Sequence, residues 1–100
     1  MLTSKQRAYL RSMANGLETI FHIGKSGVTP ELTDAVDNAL EARELVKLNI
    51  LDNCLMGTRE AAQIIAERTH ADVVQVIGNK FVLYRQAKKP SIELPKTKKD

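Results

Sequence analysis

The sequence predicts an α/β fold: one domain, elements in the order α-β-α-β-α-β-β, and a four-stranded mixed sheet with helices packed on it. Three observations carry this. Four short runs are rich in aliphatic, β-branched and aromatic residues, at 19–23, 45–51, 73–77 and 81–85. Each of the first three follows a stretch whose apolar residues recur at helical spacing. The last two are separated only by Gly78-Asn79 and Lys80, a tight hairpin signal.

The first helix opens on Thr3-Ser4-Lys5-Gln6, a capping box with Thr3 as N-cap and Gln6 at the third helical position. It should run to about Asn15 and stop at Gly16. Leu10, Met13 and Leu17 mark its buried face, with Lys5, Arg7 and Arg11 off that face. Arg7 and Arg11 are four residues apart and repel by about 0.2–0.5 kcal/mol, a strain that a polyanion would relieve.

Thr19-Ile20-Phe21-His22-Ile23 is the first strand. His22 points away from Phe21 and Ile23, either as a core histidine with a satisfied hydrogen bond or as a polar residue facing a ligand. The second helix has Thr29 as N-cap and Pro30 at its first position, and runs to about Arg43. Leu32, Val36 and Leu40 form its apolar stripe beside Ala35 and Ala39. Glu31 and Asp34 complement the macrodipole, and Asp37, Glu41 and Glu44 extend an acidic side.

In the second strand Val46, Leu48 and Ile50 share one face, and Lys47 and Asn49 the other. Thr58 is the expected N-cap of the third helix, lined by Ala61, Ile64, Ile65 and Arg68. Val73–Ile77 and Phe81–Arg85 form the closing hairpin. Helical crossovers imply parallel pairing of strand one with two and of strand two with three. From Ala87 onward the chain is lysine-rich and broken by Pro90 and Pro95. This divides it into a domain at 1–86 and an extended basic tail at 87–100, at most partly ordered by Ile92 and Leu94 docking on the domain.

An apolar content of 43% is enough for a hydrophobic core. Cys54 stands alone, so neither an intrachain disulfide nor a cysteine metal cluster can form; it reads as a small half-buried apolar residue. No stretch approaches the roughly 20 apolar residues of a membrane helix, and the N-terminus lacks a signal-peptide core. The expectation is a soluble cytoplasmic protein with no membrane partner. The net charge of +3 is unevenly spread. Residues 31–72 carry four basic and nine acidic side chains, whereas 73–100 carry seven basic and two acidic. Basic charge at both ends of the chain can make one face positive, the footprint of a nucleic-acid binder.

Ile23-Gly24-Lys25-Ser26-Gly27-Val28-Thr29-Pro30 is the stretch richest in chemistry. Its two glycines allow a sharp turn and close approach of a ligand to the backbone. Lys25 adds charge, Ser26 a hydroxyl, and the helix starting at Pro30 favours anions at its N-terminus. This make-up suits a grip on a phosphate backbone, as in the GXXG loop of KH domains. Gly24-Lys25-Ser26 also imitates the end of a nucleotide-binding P-loop, but that motif needs a glycine where Thr19 stands. His70 lacks a partner at metal-ligand spacing, and no nucleophile accompanies the carboxylates of the second helix. The chain therefore reads as a binder, not an enzyme, with no cofactor, no metal and no small-molecule substrate.

Leu2–Arg11, Ile23–Thr29, Ala39–Lys47 and Val74–Arg85 together resemble the CRM domain, most closely its stand-alone bacterial form, the YhbY/YqeI-like RNA-binding proteins. The resemblance extends over about residues 2–95. It implies a fold like the C-terminal domain of translation initiation factor three. It also implies RNA as partner, specifically large-subunit ribosomal RNA or its precursor particle, and a role in ribosome assembly. The family's GXXG loop falls on Gly24, Lys25, Ser26 and Gly27, and its basic first helix on Lys5, Arg7 and Arg11. Lys47, Lys80 and Lys88 are further candidates for RNA contact. Aromatic residues are scarce, so binding should lean on charge and backbone shape. The protein is expected to be a monomer. The alternative is a protein-interaction module that docks on ribosomal proteins through its acidic middle.

Overall fold

The computed structural model describes residues 2–95. The elements are α1 (Ser4–Ala14), β1 (Phe21–Ile23), α2 (Pro30–Arg43), β2 (Leu45–Ile50), α3 (Thr58–Thr69), β3 (Asp72–Ile77) and β4 (Lys80–Tyr84), in the expected order. Both halves of the Thr3 capping box form, and Thr29 caps α2 by accepting from the Leu32 N–H at 3.1 Å. The third helix departs from expectation. Its N-cap is Gly57, one residue earlier, and no side chain caps it. Thr58 is already helical, so its hydroxyl is not placed to take the orphan amides.

The sheet order is β1-β2-β4-β3. β1 pairs parallel with β2, as expected. β3 does not pair with β2. β4 lies between them and pairs antiparallel with both. Burial decides this arrangement: Phe81, Val82, Leu83 and Tyr84 are all buried, and a strand apolar on both faces belongs at the centre of a sheet. The edges fall to three-residue β1 and to β3, whose register shifts between Val73 and Gln75.

α2 and α3 cover one face of the sheet over Val36, Leu40, Val46, Leu48, Ile50, Ile65, Phe81 and Leu83. α3 presents Ala61, Ala62, Ile65, Ala66 and Thr69; Ile64 is only half-buried and Arg68 exposed, so the buried stripe is rotated from the expected one. α1 covers part of the opposite face, with Leu10 and Ala14 against Leu45, Val74, Val82 and Tyr84. Met13, expected inside, is exposed, and Ala14 takes its place because the helix lies close to the sheet on its small residue. Arg7 and Arg11 flank this stripe and are half-buried instead of lying off it. Arg7 Nη1 donates to the Val73 carbonyl at the irregular part of β3.

Glu44 forms the single-residue link between α2 and β2. It has φ +67° and is fully buried. Its carboxylate accepts from the backbone N–H of Ala87 at 2.7 Å, Ser91 at 2.8 Å and Ile92 at 2.7 Å, and from the Ser91 hydroxyl at 3.0 Å. The start of the segment read as a tail is thus bolted to the domain. Ile92 and Leu94 pack on the α1 side, as expected, and Gln6 Nε2 donates to the Pro95 carbonyl at 3.1 Å. The lysine-rich end at 96–100 lies outside the described residues. Among the described residues, no helix is long and apolar enough to cross a membrane.

Candidate nucleic-acid interface

Parallel pairing brings the C-terminal ends of β1 and β2 to one edge of the molecule. The Leu51 N–H donates to the Ile23 carbonyl at 2.8 Å, and the Ile50 N–H donates to the Asn79 carbonyl at 2.7 Å. Three connections therefore meet there: Gly24–Thr29, Leu51–Gly57 and the Gly78-Asn79 hairpin. α2 and α3 both begin at this end, so their positive dipole ends share it.

Gly24–Gly27 is a tight turn closed by the Gly27 N–H donating to the Gly24 carbonyl at 3.0 Å. The two glycines are there for different reasons. Gly27 has φ +69°, which side chains resist, and a Cβ there would meet nothing within 4 Å. Its outer surface is open backbone. Gly24 has ordinary φ but lies against the next loop, where a Cβ would come within 3.2 Å of Asn53 Oδ1 and 3.4 Å of Leu51 Cδ1. Lys25 and Ser26 project from the tip and are exposed.

The other expected contacts separate into three places. Lys80 is exposed at the loop end, paired in register with Asn49 and Ile77. Lys47 is half-buried at mid-sheet, with Nζ 3.4 Å from the Ala14 carbonyl and 3.5 Å from that of Leu17. A cation there complements the C-terminal end of α1. Lys5, Arg7 and Lys88 stand toward the opposite end. α1 starts beside the beginning of β3 and finishes beside Lys47, so its first turn points away from the loop. Lys88 follows Ala87, and its backbone N–H donates to Glu41 Oε2 at 3.0 Å in the last turn of α2, about 20 Å along the helix from Thr29. Of the basic residues of α1, Arg11 is therefore nearer the loop than Lys5 and Arg7.

Three acids of the middle segment, Asp37, Glu41 and Glu44, are engaged inside the domain. Arg85 bonds Asp37 through both the carboxylate and the carbonyl, reaches Glu41 at 3.5 Å, and donates to the Thr69 carbonyl at 2.8 Å. For Glu44, burial pushes the carboxyl pKa up, but the hydrogen bonds from Ala87, Ile92 and Ser91 outweigh it, and the net direction is below the ordinary 4.5. Burial, then the charges of Glu44 and Asp72, push the Tyr84 phenol above its ordinary value.

Two residues at this end, Asn53 and Ile77, were not singled out from sequence. Asn53 walls Gly24, and nothing in its local sequence signals this. His22 is exposed, with its Nδ1 3.3 Å from Asn49 Nδ2, which removes the core reading of the two left open for it. Ile77 is 62% exposed at the end of β3. His70 is the C-cap of α3 in the left-handed region, φ +59°, and among the described residues no group of three or more His, Cys, Asp or Glu is placed to hold a metal.

The CRS1 / YhbY (CRM) domain family matches residues 2–85. "Probable RNA-binding protein YqeI" of Bacillus subtilis is 43% identical over 96 residues, covering 95% of this chain and 100% of that protein. "Probable RNA-binding protein MJ0652" of Methanocaldococcus jannaschii is 32% identical, over 98% of this chain and 80% of that protein. The solution structure of SAV1595 from Staphylococcus aureus is 44% identical and superposes with a TM-score of 0.80, covering 95% of this chain and 100% of that one.

Proposed function

This chain belongs to the CRS1 / YhbY (CRM) domain family, and from that premise we propose that it is a cytoplasmic RNA-binding protein, monomeric and without catalytic activity, which attaches to large-subunit ribosomal RNA in precursor particles and assists their assembly. The observation that carries the RNA reading is the Gly24–Gly27 turn. At Gly27 the backbone is open, with no described atom within 4 Å of where a side chain would begin, so a phosphate can approach the turn closely even though the Gly27 N–H itself closes it. Lys25 supplies the charge and Ser26 a neutral donor beside it. The N-terminal end of α2 adds a favourable field. The ribosomal target rests on the likeness to the stand-alone bacterial members of the family. Against the protein-docking alternative, Asp37, Glu41 and Glu44 are engaged with Arg85 and the 87–92 segment, which leaves less of the acidic middle for a partner.

The test is a double variant, Lys25→Glu with Gly27→Asp, checked for folding by circular dichroism. Affinity for a structured large-subunit RNA fragment should fall by more than about tenfold, equivalent to about 1.4 kcal/mol. The protein should also leave the large-subunit precursor fractions of a sucrose gradient. Wild-type affinity in the folded variant would refute the loop reading. Loss from the particle with no binding of naked RNA by the wild type would favour protein docking.

A further inference from the structure

α1 covers only part of its face of the sheet, over Leu45, Val74, Val82 and Tyr84. The rest of that face, nearest the Gly24–Gly27 loop, is covered by no helix among the described residues. A single row crosses all four strands there: His22 opposite Asn49, Asn49 opposite Lys80, Lys80 opposite Ile77. All four point away from the α2/α3 core, because their chain neighbours Ile23, Leu48, Ile50, Phe81 and Val76 pack into it. The next row, Lys47, Val82 and Gln75, marks the boundary with α1, which covers Val82. Neither row contains a carboxylate. Beside them lies a hollow of about 110 Å³ lined by Asn15, Lys47, Gln75, Ile77, Lys80 and Val82.

We propose that this open half-face is a base-contacting platform for single-stranded RNA continuing from the Gly24–Gly27 loop. The proposal rests on the RNA reading above and adds where the bases go. Three inter-strand spacings span about 14 Å, and a four-stranded sheet can stack two or three bases. His22 offers the face of a ring for stacking. Asn49 and Gln75 carry both donors and acceptors for base edges. Lys80 holds positive charge on the path and among the described residues is in no ion pair, while Lys47 stands behind it with Nζ turned to the Ala14 and Leu17 carbonyls. Ile77 gives an apolar contact, which accounts for a large aliphatic side chain left 62% exposed. Because His22 is two residues before Gly24, a strand held by its phosphates at the loop arrives directly on the row.

The experiment is an NMR titration of the full ¹⁵N-labelled chain with a short single-stranded RNA of mixed sequence, followed by affinities for that strand and for its duplex. The amides of His22, Asn49, Gln75 and Lys80 should shift together with those of Gly24–Gly27. His22→Ala should weaken single-strand binding by about fivefold or more and duplex binding by less than about twofold, and His22→Phe should restore it, since stacking needs a ring and not a charge. A silent row beside a shifting loop would overturn the platform and leave the loop reading intact. Equal losses on strand and duplex, or no rescue by His22→Phe, would overturn it as well. Silence at both row and loop would instead remove the RNA reading beneath it. Sedimentation showing a dimer that Lys80→Ala dissolves would assign the face to a second copy of the chain and refute the proposal.

Discussion

Glu44→Ala should release the 87–95 segment from the domain and destabilise the fold by about 2–4 kcal/mol. The carboxylate accepts four hydrogen bonds, three from backbone N–H groups and one from the Ser91 hydroxyl. Hydrogen bonds to a charged group contribute about 1.5–3 kcal/mol each, but the four act as one unit and the freed amides of 91 and 92 can turn to water. The sum of four is therefore not the expectation; the loss of one to two bonds, plus partial exposure of Ile92 and Leu94, is. Alanine also keeps the unfavourable φ of +67° while removing the compensation. Glu44→Gly relaxes that backbone by about 1 kcal/mol and should lose correspondingly less. Urea unfolding measures the difference, and hydrogen exchange at Ala87, Ser91 and Ile92 locates it. The same carboxylate sets an acid limit. Its folded pKa lies below the ordinary 4.5, so its contribution is complete above that value and fades as pH falls through the lower folded pKa. The wild type should lose stability below about pH 4.5 more steeply than Glu44→Ala. An alanine variant within about 0.5 kcal/mol of wild type, with protection at Ser91 and Ile92 unchanged, would refute the latch.

RNA affinity should fall with salt at a log–log slope of roughly −3 to −4, for about four to six neutralised phosphates, and a flat salt titration would remove charge as the driving term. Arg7→Ala should cost about 1–2 kcal/mol, because the Val73 carbonyl loses a charged donor, whereas exposed Lys5→Ala should stay within about 0.5 kcal/mol; denaturation curves separate them. Tyr84→Phe should be neutral or stabilising by up to about 1 kcal/mol, since the buried phenol oxygen has no partner among the described residues, and a loss of more than about 1 kcal/mol in calorimetry would reveal one. Gly24→Ala should shift the Asn53 and Leu51 side chains with little backbone strain, while Gly27→Ala should pay about 1 kcal/mol at φ +69° with no clash; the reverse ranking in thermal melts would contradict the loop geometry.

Local chemistry made much of this protein readable from sequence. The Thr3 capping box, the Thr29-Pro30 helix start, the Gly78-Asn79 turn and the alternation of Val46, Leu48 and Ile50 all depend on interactions within a few residues, and all stand in the structure. So does the Gly24–Gly27 turn, whose closing bond spans three residues. The stripe of α1 was misplaced by one residue because Met13 and Ala14 are both apolar, and only the closeness of the sheet chooses the smaller.

Pairing between distant segments needed the tertiary structure. Helical crossovers restrict handedness but not which strand is central, and β4 took the centre because its four buried residues need cover on both faces. That choice set Lys80 beside Asn49 and aligned a row from His22 to Ile77 out of residues 55 positions apart in the chain. It likewise turned Glu44, one acid among several in sequence, into the buried anchor of a segment 43 to 48 residues further on. The sequence by itself determined the elements, their order and the Gly24–Gly27 turn, because those follow from short-range backbone and capping preferences. Only the folded chain decided which charges stand near that turn and which hold the domain together, because a side chain's partner is chosen by long-range packing that no local pattern encodes.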